Sequence, residues 1–314
     1  MRIRQVSDLS ECERLWKAFF PPGRIWDLWE FRLCFHSHFK TTPCFLVLED
    51  AAGVAGLLPL CRMAQTDTHV FFPGETWKGL TWLERTPFYA RDARCLQELL
   101  LACPSRSYLR YMEIPAGFCL PGLSVDETGY VLFPSRMEGG LGAYHGRFPR
   151  KKIKSILKDI ERVAGPESSF TEGRTQDFDL LVSMSLSAFG PKSYFFDERF
   201  TRGFADAQKY LLANGLLRMT SLQKKGKTLA VDMGCVYQGV YTLLAGGTDP
   251  EVLGVAKAMN MHHVEVSCRE KFSKVDFLCG DFNWKKLWHL DAEPLYKYVT
   301  PAPDAPRAPE GPCA

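Results

Sequence analysis

Between Leu217 and Trp288 the chain alternates apolar runs with turn residues at a spacing that few folds accept. LRMTSLQ, TLAVDMGCVY and VYTLLAGG read as three strands, joined by turns at Lys224 to Lys227 and at Gln238-Gly239. Gaps that short make hairpins, so the three strands lie antiparallel and side by side. A polar stretch, Thr248-Asp249-Pro250, then leads into a helix, a strand from Lys274 to Leu278 and a last helix. A strand that follows a helix rejoins its sheet by crossing over, so the order predicts an α/β class of mixed sheets flanked by helices. The crevice beside the strand ending at Gly246-Gly247 is the expected site.

The first half opens in a similar way. CFLVLED, a turn at Ala52-Gly53, VAGLLPLCRM and a strand from His69 to Phe72 repeat the strand, hairpin and strand order, ending at Pro73-Gly74. Gly53 matches Gly226 and Gly74 matches Gly247 at the same offset, which predicts a degenerate internal duplication. Ahead of these strands, Asp8 to Phe20 reads as a helix capped by Ser7 or Asp8 and stopped by Pro21-Pro22-Gly23. Trp26 to Phe39 reads as a second helix whose Trp26, Trp29, Leu33 and His36 stripe belongs to the core, because Trp is usually largely buried. Ala93 to Ala102 predicts a helix, Tyr108 to Ile114 a strand, and the Gly- and Pro-rich stretch from Pro115 to Pro134 one short strand at Tyr130 to Phe133.

FPRKKIKSILKDIERVAGP joins the halves. Ile153, Ile156, Leu157, Ile160 and Val163 recur at helical spacing, while Arg150, Lys151, Lys152, Lys154, Lys158 and Arg162 fill the opposite face. Such a face is either simply solvated or lies against an anionic partner. Beyond it, Ser168 to Glu172 reads as a strand, and Asp177 to Phe189 and Asp197 to Asn214 as helices broken at Gly190-Pro191. The apolar Ser193 to Phe196 segment between them serves as a lid, an acceptor wall or plain packing. Expected domains are residues 1–145, a connecting helix at 146–166, residues 167–300, and a Pro/Ala-rich tail at 301–314 that reads as disordered.

Composition narrows the function classes. A net charge of +3 is too small for a domain-wide basic surface, which argues against nucleic acid. The 11 cysteines form no CxxC pair, and Cys34, His36 and His38 sit at a spacing that does not share a helix face, so no metal is expected. The charged N-terminus does not read as a signal peptide, and no apolar run approaches the roughly 20 residues of a membrane span, so a cytoplasmic protein is expected.

At VDFLCGDFNWKKLW a family resemblance enters. This run resembles the closing signature of the CelD/BioF2-like branch of the GNAT acyltransferases, which is related to the Fem peptidyltransferases. In that branch a strand is followed by Gly, an acidic residue, a Tyr-Lys pair and an aromatic residue. Gly280, Asp281, Trp284-Lys285 and Trp288 occupy those positions, with Trp in place of Tyr. The Ser-Pro-Gly-like lead into the preceding helix is replaced by Val252-Leu253-Gly254-Val255, in which only the Gly is kept. The resemblance implies two tandem GNAT-like domains, the second carrying the acyl-transfer site.

It also implies an activity: N-acyl transfer from an acyl-CoA such as acetyl-CoA to an amine of a sugar, amino acid or cell-envelope precursor, with no metal. The coenzyme A pyrophosphate would then sit at Leu253, Gly254, Val255, Ala256 and Lys257, where free amides and the helix dipole favour anions. Candidate catalytic residues are Asp232, a carboxylate among apolar strand residues that must be paired or functional, Tyr241, Asp281 and Lys285. Tyr237 and Asp249 stand near them in sequence, and His262-His263 reads as one core and one surface histidine. A Fem-like transfer from aminoacyl-tRNA is the enzyme alternative, although the helix from Lys151 to Val163 is too short for the helical arm of those proteins. A non-catalytic ligand- or partner-binding protein that keeps the fold is the other.

Overall fold

A computed structural model describes residues 1–280 and 284–300. The described residues divide into two compact units, Met1–Thr128 with residues 294–300, and Gly129–Glu293. The division falls at 128/129 and 293/294, whereas the sequence pattern gave residues 1–145, a connecting helix at 146–166 and residues 167–300.

In the first unit, β1 (Arg2–Val6) is followed by α1 (Leu9–Phe19), α2 (Trp29–Phe39) and the short β2 (Thr42–Pro43). Asp8 caps α1 by accepting from the Glu11 amide. Then come β3 (Phe45–Asp50), β4 (Gly53–Leu58), β5 (Leu60–Met63) and β6 (Thr68–Phe71), and after two-residue strands β7 (Thr76–Trp77), β8 (Leu80–Thr81) and β9 (Tyr89–Ala90), α3 (Ala93–Leu101) and β10 (Tyr108–Met112). Sheet order is β1-β3-β4-β9, with β2-β5-β6 as a second sheet. Trp26 and Trp29 of the expected stripe are buried and Leu33 and His36 half-buried, with Trp29 stacking on Phe72 at 4.8 Å beside Trp16 and Phe45.

The second unit begins within β11 (Leu123–Leu132), a strand much longer than its Gly-containing sequence suggested, and adds α4 (Gly140–Gly146), α5 (Arg150–Val163), β12 (Ser168–Glu172), α6 (Phe178–Phe189) and α7 (Glu198–Ala213). The hairpin strands follow as β13 (Leu217–Lys224), β14 (Lys227–Tyr237) and β15 (Val240–Thr248), then α8 (Val255–Arg269) and β16 (Lys274–Cys279). Positive φ at Lys225-Gly226 and at Gln238-Gly239 makes both links tight hairpin turns. The sheet order in this unit is β11-β16-β15-β14-β13-β12, antiparallel except where β16 returns beside β15 in parallel across α8. After β16 the expected last helix is only a 3-10 turn at Lys285–Trp288. β17 (Asp291–Val299), which the polar sequence concealed, brings the chain back to the first unit, where Tyr298 pairs with Leu109 of β10.

Candidate functional site

One inserted residue in β15 organises the site. Met233 of β14 faces Ala245, but its neighbour Gly234 faces Leu243, so Leu244 is a bulge. Tyr241 and Gly246, five residues apart, would point to opposite faces of a regular strand; the bulge returns them to the same face. That face carries Tyr241 into a core with Met261 and Val264 of α8. Two glycines clear the space there. A Cβ on Gly234 would lie 2.7 Å from the Tyr241 ring, and one on Gly246 would lie 2.3 Å from Asp232 Oδ1.

The cleared space holds a hydrogen-bonded chain. Asp232 Oδ2 lies 2.7 Å from His263 Nε2, and His263 Nδ1 lies 3.1 Å from the Tyr241 hydroxyl. With the Nε2 proton donated to the carboxylate, Nδ1 accepts from the tyrosine. His263 is 1% exposed and Tyr241 3%, whereas the Asp232 side chain keeps 18% of its surface open. Burial, and then the charge of Asp232, push the tyrosine pKa upward, so its hydroxyl stays protonated and holds the imidazole rather than titrating.

Asp232 opens onto a cleft of about 460 Å³. Gly254 at the N-cap of α8 and Lys257 and Asn260 within it line the cleft, and His263 lies one turn beyond Asn260. Facing them are Lys152 and Ile156 of α5, Phe189 at the end of α6, and Trp284, Leu287 and Trp288 beyond β16. The cleft borders the place where the parallel strands part: Val240 pairs with Lys274, Tyr241 with Val275 and Thr242 with Asp276, and among the described residues no later pair joins them. From Gly246 to Thr248, β15 stays paired with β14 and lines the cleft on its other edge. A size of this order suits a ligand of drug-like dimensions.

The structure sorts the candidate residues. Asp232 stands in the cleft, and Tyr241 stands behind it, two hydrogen bonds away. Lys285, 3% exposed, donates to three carbonyls, those of Phe277, Leu278 and Cys279, at 2.7–2.9 Å. Its three ammonium protons thus fasten the end of β16, where Leu278 takes a positive φ. Asp281 lies outside the described residues. Sequence reasoning passed over the role of His263: both histidines of the pair are turned inward, His262 stacking on Phe170 at 3.9 Å while His263 completes the chain. The available signal was His263 falling one turn after Asn260 on α8, the helix that packs against the strand carrying Asp232.

The expected pyrophosphate cradle lines the cleft only in part. Gly254, Ala256 and Lys257 do line the cleft, but Val255 is 1% exposed in a core with Val163 and Leu222, and Leu253 is 78% exposed. Helix α5 lies across the head of α8. The Asp159 carbonyl would be 3.2 Å from a Cβ on Gly254, and the Asp159 carboxylate accepts from Lys257 at 2.5 Å, which lowers the Asp159 pKa. The preceding loop adds Asp249, whose carboxylate accepts from the Glu251 amide and pairs with Lys227. Two carboxylates of the chain, Asp159 and Asp249, thus lie beside the expected cradle. Among the described residues, no group of three or more His, Cys, Asp or Glu could hold a metal ion, and no helix is long and apolar enough to cross a membrane.

Comparison with known proteins places this architecture. A family profile described as an acetyltransferase (GNAT) domain matches residues 147–286. Among solved structures the chain is similar to FemX, at 10% identity and a TM-score of 0.57, covering 96% of this chain and 98% of that one. It is also similar to L-PGS from Bacillus licheniformis, at 11% identity and 0.56 over 95% and 93% of the two chains. A conserved protein of unknown function from Bacteroides thetaiotaomicron matches at 14% identity and 0.52, over 95% and 98%. No curated protein matches.

Proposed function

We propose, on the premise that residues 147–286 form a GNAT acetyltransferase domain, that the chain transfers an acyl group from a thioester to an amine, with Asp232 taking the amine's proton. The observation that carries this reading is the Asp232–His263–Tyr241 chain, which ends in a carboxylate at the floor of the 460 Å³ cleft. Each member has a separate task. The Asp232 Oδ1 edge meets the ammonium of the acceptor and removes a proton, while the Nε2–H of His263 fixes the other oxygen and Tyr241 fixes the imidazole. Tyr241 is accordingly a positioning residue. The open edge of β15 beyond Thr242 offers backbone amides to the oxygen that gains charge as the amine attacks. Lys285 keeps the end of β16 shaped so that this edge stays open.

The signature at Gly280, Trp284-Lys285 and Trp288 supports the CelD/BioF2-like branch, and the acceptor classes to screen are amino sugars, amino acids and envelope-precursor amines, with the cytoplasm as the compartment. Acyl-CoA is the first donor to test, although the covered head of α8 weighs against its pyrophosphate binding there. That same observation gives weight to a Fem-like aminoacyl-tRNA donor, which needs no such cradle. The deciding experiment measures thiol release from acyl thioesters against the amine panel with the wild-type chain and Asp232→Asn. Turnover that the substitution removes while the melting temperature holds supports the reading. Equal turnover by both, or amide formation only from aminoacyl-tRNA, sinks it.

A further inference from the structure

Two buried polar side chains hold the short turn that follows β16. The Lys285 ammonium fastens its start to the carbonyls of Phe277, Leu278 and Cys279, and at its end the Tyr144 hydroxyl donates to the Trp288 carbonyl at 2.6 Å. Aromatic contacts stiffen it further: Trp284 meets Trp288 and Phe277 edge to face, each at 6.3 Å, and Trp288 meets Phe148 at 6.4 Å. What this anchored turn presents to the cleft is apolar. Trp284, Leu287 and Trp288 line it and none of them is charged, whereas α5, α6 and α8 contribute Lys152, Ser185 and Asn260. Leu287 on the turn and Phe189 at the end of α6 are each 56% exposed. Exposure of a single large apolar side chain is ordinary. Here two are left open on one cleft, beside a tryptophan held rigid, which is how a pocket for an apolar group is built.

Resting on the acyl-transfer reading, we infer that the acyl group transferred is bulky and apolar, a medium-length alkyl or arylalkyl chain rather than acetyl, and that it lies against Trp284, Leu287 and Phe189. The shape of a thioester selects this occupant. Its carbonyl carbon is trigonal, so with the oxygen on the amides of β15 beyond Thr242 the bonds to sulfur and to the acyl chain both point away from β15, toward the turn that follows β16. The acceptor amine comes from the side of Asp232, on β14. The apolar wall is thereby left to the donor's own substituents. Of these, the pantetheine arm carries amides that need hydrogen-bond partners, which such a wall does not offer, and the acyl chain needs none. A cleft of about 460 Å³ has room for the chain beside the amine. In the step itself the acceptor ammonium gives one proton to Asp232 and the amine nitrogen bonds to the thioester carbon. The carbon–sulfur bond breaks with its electron pair on sulfur, and a second nitrogen proton ends on the released thiol. The products are an amide with an apolar tail and a free thiol.

The test is a chain-length series of donors, acetyl, butanoyl, octanoyl and phenylacetyl thioesters of coenzyme A and of pantetheine, against the amine panel. A matched series of acceptors, from methylamine to octylamine, is run with the acetyl thioester. Each methylene that leaves water is worth roughly fourfold in binding, so kcat/KM should rise at least about tenfold from acetyl to octanoyl on either thiol. Leu287→Asn, at an exposed position, should lower that octanoyl-to-acetyl ratio about threefold or more, and Trp284→Ala should move the optimum toward longer chains. Melting temperatures check that both variants are folded, and Leu287→Asn alone decides the matter where Trp284→Ala is not. Acetyl used as well as octanoyl, or a ratio that Leu287→Asn leaves unchanged, overturns this inference while acyl transfer stands. A rate that climbs along the acceptor series and not along the donor series assigns the wall to the acceptor and overturns it as well. No turnover of any thioester overturns the acyl-transfer reading and this inference with it.

Discussion

Buried charge occurs in both compact units, in clusters made of similar parts. In the first unit Arg32 is fully buried; its Nε donates to the Trp26 carbonyl, and its Nη1 to the Phe72 carbonyl and the Thr86 hydroxyl. Its Nη2 lacks a partner among the described residues and looks into a cavity of about 10 Å³ shared with Glu75, whose carboxylate accepts from Thr81 and the Leu83 amide. Burial pushes the Arg32 pKa down to about 10 and the Glu75 pKa up. That volume admits about one water. In the second unit the Asp232 carboxylate has one oxygen held by His263 and the other facing some 460 Å³ of open cleft. Burial and hydrogen bonding alone would not separate the two clusters. Room beside the charge does: the first is a structural knot, and the second is a place where a ligand fits.

The largest effects should break this comparison cleanly if it is wrong. Asp232→Asn removes the proton acceptor yet keeps a side chain of the same shape, so turnover should fall about 10²- to 10⁴-fold with little change in melting temperature. Arg32→Met should do the reverse, costing about 3–5 kcal/mol by stranding the buried Glu75, with turnover per folded molecule retained. Denaturant unfolding and steady-state rates measured on the same two variants decide it, and a catalytic loss in Arg32→Met at full stability would contradict the structural role.

A finer version compares two adjacent glycines. Gly246→Ala drives a methyl against Asp232 Oδ1 at 2.3 Å, and the carboxylate must swing away from His263. About tenfold or more should be lost from turnover, with a small change in stability. Gly247→Ala points to the opposite face and meets the Leu181 carbonyl at 2.6 Å and Met184 Cβ at 2.8 Å, both part of α6. Overpacking there should cost about 1–3 kcal/mol of stability and leave the pH profile of turnover unchanged. Loss of the same property in both variants would mean that the bulge at Leu244 does not set the two faces apart.

Sequence made much of this visible and hid the rest for identifiable reasons. The hairpin turns at Lys225-Gly226 and Gln238-Gly239 were legible because tight turns need those residue types, and the helical faces of α1, α5 and α7 because apolar spacing is dictated by the helix period. β17 was hidden by Glu293, Pro294 and Lys297, which suppress strand propensity in a segment that pairing with β10 nevertheless holds extended. Asp232 stood out as a carboxylate in an apolar strand. Its partner His263 did not, because the contact spans 31 positions and depends on a bulge that no local pattern announces. Lys285 was legible as a family position and misleading as a chemical group, since the three carbonyls that consume its ammonium come from a strand end whose backbone turns at Leu278.

The smallest expected effect sets the two neighbouring histidines against each other. His263 is held at both ring nitrogens, whereas His262 lies flat on Phe170 with its buried Nε2 lacking a partner among the described residues. Burial, followed by the neighbouring His263, lowers the His262 pKa from 6.5 to about 4. In the unfolded chain this imidazole takes up a proton below about pH 6.5, and in the folded chain only near pH 4. Its contribution to stability is therefore complete above pH 6.5, drains away as pH falls to 4 and stays constant below that. Such a displacement corresponds to about 3 kcal/mol in full burial, and the partly exposed ring reduces it to about 1–2 kcal/mol. His262→Phe keeps the stack and removes the proton site, so urea unfolding at pH 7 and pH 4.5 should show a shallower acid slope than wild type with unchanged turnover at pH 7. An unchanged slope would mean that the ring is solvated enough to titrate freely, and a loss of turnover at pH 7 would place His262 beside His263 in the site instead of behind it.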